Sequence, residues 1–313
     1  MKNYISLLVH ENIPVILNQV SNFNKYCPNI IVVIHLSATA KFKIPDLLNR
    51  LEIDGFTNAI INPVQVETEW GSIIKAHIEN IKYIETFNNA DKIIFHSSND
   101  MLINYGLEDY LKLVKNGFHA REILVNSSWL TGVKASQDSN FIELLGNNGK
   151  IYGSQVEGSF YEANLLFKII RWISLNEIDF SIRNYAFEEV LFPTIAVFMN
   201  VTPNGLPYIF SEVQMIDRFS WKIKELLNII IPNSSLQKSF MRLISALIRR
   251  CNLYKINIHF IILILNKKLN SSLLHQNDSG YIYKLYDPNN IYGVKRVDRN
   301  IDSFIRIYIN NLN

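Results

Sequence analysis

Four short stretches of the 313-residue chain hold the side chains best suited to chemistry. The first, HSSND at 96–100, follows the apolar run Ile93-Ile94-Phe95 with two serines, an amide and a carboxylate. That run reads as a buried strand, so Ser98 and Asp100 fall just past its carboxyl end, where open α/β sheets bind ligands. An ordinary turn that satisfies its own backbone accounts for the same residues. The second, NYAFEEVLFPTI, sets Glu188 and Glu189 near the start of an otherwise apolar helix. The helix dipole favours carboxylates there with or without catalysis. The third, IYGVKRVDRNIDSFI, clusters Lys295, Arg296 and Arg299 between a Pro-Asn-Asn turn and a final helix. Such cations can neutralise a diphosphate when no metal does so; a solvated charged face has the same composition. In the fourth, VETEWGSIIKAHIENI, Trp70 and Gly71 stand where a loop enters a long helix, a place where a Trp also serves as a plain anchor.

The elements that must position these groups are readable from hydrophobic periodicity. Residues 4–9 and 30–36 are strand-length apolar runs, and between them Val15, Leu17, Val20 and Phe23 have helical spacing. Strand–helix–strand with continuously apolar strands indicates a parallel pair buried on both faces. A helix over 45–51 opens with Pro45 in its first turn, a short strand follows near 58–62, and Ile74, Ile78, Ile81 and Ile84 form one stripe of a helix over 71–87. A helix over 107–116 and a strand over 122–126 continue the alternation, which predicts an open, mostly parallel sheet flanked by helices. Beyond it the pattern predicts a turn and strand at NNGKIYGSQ, a helix through SFYEANLLFKIIRWI, and a second helix that Pro193 kinks or ends.

Composition narrows the function classes. Hydrophobic residues make up 48% and charged residues 19%, which suits a chain with a sizeable core. A formal charge of +3 is too mild for wholesale nucleic-acid binding. Two cysteines, Cys27 and Cys251, support neither a disulfide framework nor a zinc site and point to a reducing compartment. The seven histidines form no HExxH or tight cluster, and GxGxxG, GxxxxGK[ST] and GxSxG are all absent. The N-terminus reads as a first strand rather than a signal peptide, and no apolar run reaches 18 residues. A cytoplasmic protein is expected. Residues 226–277 have seven basic residues and no acidic one, around INIHFIILIL. Either a core element has basic neighbours there, or a basic and apolar surface lies against anionic lipid at the inner face of the plasma membrane.

In order and spacing these patterns resemble the core-2/I-branching β-1,6-N-acetylglucosaminyltransferase family (glycosyltransferase family 14-like), in its bacterial surface-polysaccharide branch. LLVHENIPVI, with His10, holds the place of that family's SxHKN-like strand end. Trp70-Gly71 matches its Trp-Gly helix start, HSSNDML its Ser-Gly-x-Asp-x-Pro-like loop, and Gly153-Ser154-Gln155 its GSQW strand. FEEVLFPTI matches the PDExxxxTI helix that bears the family's catalytic base, and IYGVKRV the FARKF segment that bears a diphosphate-binding lysine. The likeness covers roughly residues 4–200 and 290–305, and nothing in 211–280 aligns.

The resemblance implies a GT-A-like (Rossmann-like) fold. It implies a donor and catalytic domain over 1–210, a basic apolar helical segment over 211–280, and a C-terminal segment over 281–313 that completes the diphosphate site. The activity implied is inverting, metal-independent transfer of GlcNAc or a related sugar from a nucleotide sugar to a glycan or lipid-linked acceptor of the capsule or lipopolysaccharide type. Glu189 is then the base, with Glu188 as fallback, and His10, Trp70, Ser98, Asp100, Gln155, Lys295, Arg296 and Arg299 face the donor. No cofactor or metal is expected. Two other classes stay open: a non-catalytic scaffold or binding subunit of a polysaccharide assembly complex, and a glycoside hydrolase, which needs a second carboxylate across a cleft.

Overall fold

The computed structural model describes residues 1–10, 12–69, 71–124, 129–146, 149–180, 183, 185–211, 255–269 and 286–312, with Ile223, Leu226, Ser239 and Leu243 as single positions. In chain order the strands are β1 (Lys2–Val9), β2 (Ile31–Leu36), β3 (Ala59–Ile61), β4 (Ala90–Ser97), β5 (Met101–Leu102), β6 (Arg121–Glu122), β7 (Tyr152–Gly153), β8 (Phe160–Glu162), β9 (Ile209–Phe210) and β10 (Gly293–Val294). The helices are α1 (Ile13–Tyr26), α2 (Ile44–Ile53), α3 (Ile74–Glu85), α4 (Leu107–Leu113), α5 (Leu130–Ala135), α6 (Ser139–Leu145), α7 (Ala163–Leu175), α8 (Glu188–Phe198), α9 (Ile258–Leu265) and α10 (Phe304–Asn310).

Side-chain alternation along the strands builds a three-layer α/β core. Tyr4, Val33, Ile93 and Phe95 point into a cluster with Ile74, Ile78, Ile81 and Ile84 of α3 and the apolar faces of α7 and α8. Their neighbours Ile5, Leu7, Val32, Ile34 and Ile94 join Ile16, Leu17, Val20 and Phe23 of α1 and Leu47 and Leu51 of α2. With both faces covered, the strands stay apolar throughout, as parallel strands do. Asn12 caps α1 by accepting from the Val15 N–H, and Pro14 and Pro45 sit in the first turns of α1 and α2.

The main sheet has the order β3-β2-β1-β4-β8. From β1 the chain moves outward through β2 to β3, then returns to add β4 on the other side of β1, all in parallel. The winding direction therefore reverses between β1 and β4. Past the carboxyl ends of such a pair lies the crevice that open sheets offer to ligands.

Two expectations need correction. The strand expected at 122–126 is not part of this sheet: β6 covers only Arg121 and Glu122, half-buried, and pairs antiparallel with β7 in a separate ribbon. The fifth place is taken by β8, antiparallel to β4, from a stretch that periodicity assigned to the start of a helix. Phe160 and Tyr161 are wholly buried there, and α7 begins only at Ala163. A two-residue edge with one charge of each sign has no apolar face to bury, whereas Phe160-Tyr161 has one on each side.

A third cluster joins distant parts of the chain. Met101, Ile103 and Phe210 pack with Ile256, Ile261 and Ile264 and with Ile291, Val294, Val297 and Ile309. Its frame is a small sheet in which β10 lies between β5, antiparallel, and β9, parallel. Gly293 is required there, since a Cβ would stand 2.8 Å from the Met101 carbonyl and 2.4 Å from Ile209. This sheet brings the residues after β10 back to the loop that follows β4. INIHFIILIL contributes α9 with Ile261 and Ile264 inward; the rest of the basic stretch lies largely outside the described residues. Among the described residues no helix is long and apolar enough to cross a membrane.

Candidate functional site

The loop after β4 is held from below. Gln19 of α1 donates through Nε2 to the Ser97 and Asp100 carbonyls, at 2.7 and 2.8 Å. Asp100 is fully buried and turned back on its own loop: Oδ2 accepts from the Ser97 N–H at 2.9 Å, Oδ1 lies 3.2 Å from Ser97 Oγ, and His96 Nδ1 is 3.4 Å from Oδ2. Burial raises the carboxyl's pKa above its ordinary value against the pull of His96 and Lys295. His96 Nε2 in turn meets the Tyr208 hydroxyl at 2.6 Å. Both carboxylate oxygens of Asp100 are thus engaged within its own loop.

The start of α8 is fixed by a different set of contacts. Gly71, at φ +91°, abuts the segment before α8 so closely that a Cβ would lie 1.9 Å from the Arg183 carbonyl. Arg183 Nε donates to Asp138 Oδ2 at 3.0 Å, and the Tyr185 hydroxyl donates to the same oxygen at 2.6 Å. The Arg183 guanidinium lies 3.9 Å from the Phe187 ring centre, and Phe187 packs edge-on against Phe141 and Tyr185. Glu188 and Glu189 follow, both buried, in the first turn of the helix. Pro193 lies inside α8 without ending it.

Lys295 arrives from the other side, one residue past β10, with its N–H bonded to the Phe210 carbonyl at 2.9 Å. Its Nζ sits 2.6 Å from Glu157 Oε1, and only 19% of the lysine side chain and 8% of the glutamate side chain are exposed. Burial alone would lower the ammonium's pKa, but Glu157, Asp100 and Glu189 together hold it above the ordinary value. Burial likewise works to raise Glu157, and Lys295 with Arg296 more than reverses that. Glu188 goes the opposite way: burial, then the charge of Glu189, push it up to about 8, and Glu157 adds to the effect. Glu188 Oε2 has no hydrogen-bond partner among the described residues. Arg299, exposed, donates through Nη2 to Ser98 Oγ at 3.4 Å, and the Val297 N–H bonds the Asn99 carbonyl.

The structure therefore assembles Ser98, Asp100, Glu188, Glu189, Lys295, Arg296 and Arg299 around the end of β4. Gln155 belongs to the frame: it is fully buried, and its Nε2 donates to the Glu157 and Ile209 carbonyls at 2.7 and 2.8 Å. His10 is exposed at the end of β1, and Trp70 lies outside the described residues. Glu157 was missed in the sequence, as was the Asp138–Arg183–Tyr185 clamp. The one signal for Glu157 was an acid in the otherwise apolar or polar loop GSQVEG. Among the described residues no group of three or more His, Cys, Asp or Glu stands where it would hold a metal ion.

No known family model matches the chain, and no curated protein does. Among solved structures it is similar to the galactosyltransferase LgtC in complex with donor and acceptor sugar analogues, at 12% identity over 67% of this chain and 73% of that one, TM-score 0.38. It is similar to an active-site mutant of LgtC at 8% identity over 99% and 94% of the two chains, TM-score 0.40. It is similar to S. aureus TarS at 16% identity over 80% of this chain but 43% of that one, TM-score 0.40. The assignment of chemistry rests on this chain's own residues.

Proposed function

We propose that the protein is a GT-A-like, inverting and metal-independent glycosyltransferase. It would move GlcNAc or a related sugar from a nucleotide-diphosphate donor to a hydroxyl of a growing capsule- or lipopolysaccharide-type glycan. One observation carries this reading. Glu188, Glu189 and Lys295, remote in sequence, share one electrostatic site beside the β1–β4 crevice, so that Glu189 raises the pKa of Lys295 and Lys295 acts on Glu188.

In this reading the donor's diphosphate lies at Lys295, with Arg296 and Arg299 nearer the rim. Glu189 takes the proton of the acceptor hydroxyl as it attacks the anomeric carbon, help worth on the order of 10²–10⁴ in rate. The negative charge left on the departing nucleotide is stabilised by Lys295, by about a few kcal/mol in a dry site. Glu188 keeps its proton up to about pH 8, so at neutrality it adds no negative charge of its own beside Glu189. Residues 1–210 would form the donor and catalytic unit and 281–313 the piece that completes the diphosphate site. The 211–280 segment would face the acceptor or an anionic membrane surface.

The experiment is a thermal-shift titration with UDP, GDP and CMP, with and without EDTA. Stabilisation by one nucleotide, independent of EDTA and lost in Lys295→Ala, is expected. Glu189→Gln should keep nucleotide binding while turnover falls by at least about 10²; full turnover removes Glu189 from the role. The scaffold reading has one observation on its side, that Lys295 is already neutralised by Glu157. It gains if no nucleotide shifts the melting point.

A further inference from the structure

Glu157 is the acid nearest to the one largely buried lysine of the site, and its setting is rigid. The loop that bears it is bonded to β4 just after Glu157: the Gly158 N–H donates to the Phe95 carbonyl at 2.8 Å, and the Phe95 N–H to the Ser159 carbonyl at 2.9 Å. Gly158 takes φ +77°, with no room for a Cβ, which would lie 2.6 Å from the Ile209 nitrogen. Gln155 holds the Glu157 carbonyl from the other side. The carboxylate itself is tied less firmly. Oε1 meets Lys295 at 2.6 Å, but Oε2 is buried with no hydrogen-bond partner among the described residues. A buried carboxylate with half its acceptors unused is a costly arrangement unless another state uses it.

We infer that Glu157 is an exchangeable counter-anion: it neutralises Lys295 while the site is empty, and a bound diphosphate competes with it for the same ammonium. This rests on the diphosphate reading above and adds a function for a residue that reading does not use. Pairing with Glu157 keeps the lysine charged and aimed at the crevice between turnovers. After transfer the same carboxylate reclaims the lysine and so weakens the hold on the nucleotide product. Glu157 touches the cation rather than the substrate and is a positioning residue.

A second consequence follows from charge balance. The groups facing Glu157 are Lys295 and Arg296 on the C-terminal segment, Glu188 on α8, and Asp100 in the β4 loop. When the diphosphate takes over Lys295, Glu157 stays buried among carboxylates without its cation, and its pKa rises. Diphosphate binding should therefore be accompanied by proton uptake at Glu157.

Inorganic pyrophosphate, titrated calorimetrically at pH 6.5 in two buffers of different ionisation enthalpy, tests both consequences on the whole chain. At that pH Glu188, with its pKa near 8, already holds its proton. Glu157→Gln should bind pyrophosphate about 5- to 150-fold more tightly than wild type, the span of ordinary coupling between two sites. It should also take up fewer protons on binding. In the Lys295→Ala background the Glu157→Gln effect should vanish. Loss of pyrophosphate binding in Lys295→Ala, with Glu157→Gln binding no tighter than wild type, overturns the exchange and leaves the diphosphate reading standing. Unchanged binding in Lys295→Ala overturns the diphosphate reading itself. Should Glu157→Gln fail to fold, wild type and Glu157→Asp decide: the shorter acid should give intermediate affinity. Since pyrophosphate itself titrates near this pH, the readout is the difference between the two proteins: an equal proton count on binding in wild type and Glu157→Gln sinks the proposal.

Discussion

Two clusters of buried polar side chains serve one sheet, and they are built to opposite rules. Between α3 and strands β1, β2 and β3 the groups are uncharged, and among the described residues all but His35 Nδ1 are matched. Asn80 Nδ2 donates to Ser6 Oγ at 3.0 Å and to the Val33 carbonyl at 3.1 Å, Asn62 Nδ2 donates to Asn80 Oδ1 at 3.0 Å, and Ser6 Oγ meets His77 Nδ1 at 2.9 Å. Burial keeps His77 uncharged by lowering its pKa to about 3. At the end of β4 the groups are ionisable and incompletely matched, with Glu157 Oε2 and Glu188 Oε2 both lacking partners among the described residues. Satisfied networks rigidify a core; unsatisfied charged ones are kept where a ligand or a proton has to be exchanged. The first cluster belongs to folding; the second is the one the proposed transfer would use.

The largest effect on stability should come from the neutral cluster. Asn80→Ala removes three buried hydrogen bonds, one each to Ser6 Oγ, the Val33 carbonyl and Asn62 Nδ2, and takes from Asn62 Nδ2 its Asn80 acceptor. At about 1 kcal/mol for each lost bond, the destabilisation should be about 3 kcal/mol. Denaturant unfolding measures it. A variant as stable as wild type would show that the network is not structural, and the contrast between the clusters would collapse.

Next in size is Gly71→Ala, which strikes the joint between the two clusters, because α3 begins three residues later. The positive φ and the 1.9 Å approach to the Arg183 carbonyl force either Gly71 or the 183–187 segment to move. Strain of this kind is worth about 1–3 kcal/mol. Since that segment aims Glu188 and Glu189, turnover should fall by more than the small change in nucleotide affinity. Equal losses in both would assign Gly71 to stability alone.

The two clusters should also respond to pH with opposite sign. His77 has a folded pKa of about 3 against an ordinary 6.5, so the unfolded chain binds the extra proton between those limits. Its contribution is complete above about pH 6.5 and is lost as pH falls toward 3. Glu188 is raised from 4.5 to about 8, so the folded chain keeps a proton that the unfolded chain releases. Its contribution is complete below about pH 4.5 and is lost as pH rises toward 8. Glu188→Gln should therefore gain stability over wild type steadily from pH 5 to pH 8.5. A parallel pair of stability curves would mean that Glu188 ionises normally.

How much of this was readable in advance divides along the same line. The strands β1, β2 and β4 and the Ile74–Ile84 stripe of α3 are legible because burial repeats every two or every 3.6 residues, a local property. The split of β6 from the main sheet was not, since two half-buried residues have no period. Asp100 could be placed at a strand end, but not its inward turn, which depends on Ser97 and His96. Glu188, Glu189 and Lys295 were legible only through motif order. Glu157 escaped because its meaning comes wholly from Lys295, just past a strand that no pattern pairs with GSQVEG. Trp70 and most of the basic 226–277 stretch fall outside the described residues.

The smallest effect is the one that best separates burial from mere charge within the site. Arg299 and Lys295 belong to one basic group in the sequence, yet Arg299 is exposed and meets Ser98 only at 3.4 Å, while four-fifths of the Lys295 side chain is shielded from water. An exposed cation acts through water and salt and is worth roughly 0–1 kcal/mol, whereas a shielded one loses little to screening. Arg299→Ala should thus weaken nucleotide binding less than about fivefold at low salt, a gap that closes as salt is raised. Lys295→Ala should abolish binding at every ionic strength. If the arginine variant loses as much as the lysine variant, and keeps losing it in high salt, the diphosphate lies at the rim rather than beside Lys295. The competition with Glu157 would then have no site in which to occur.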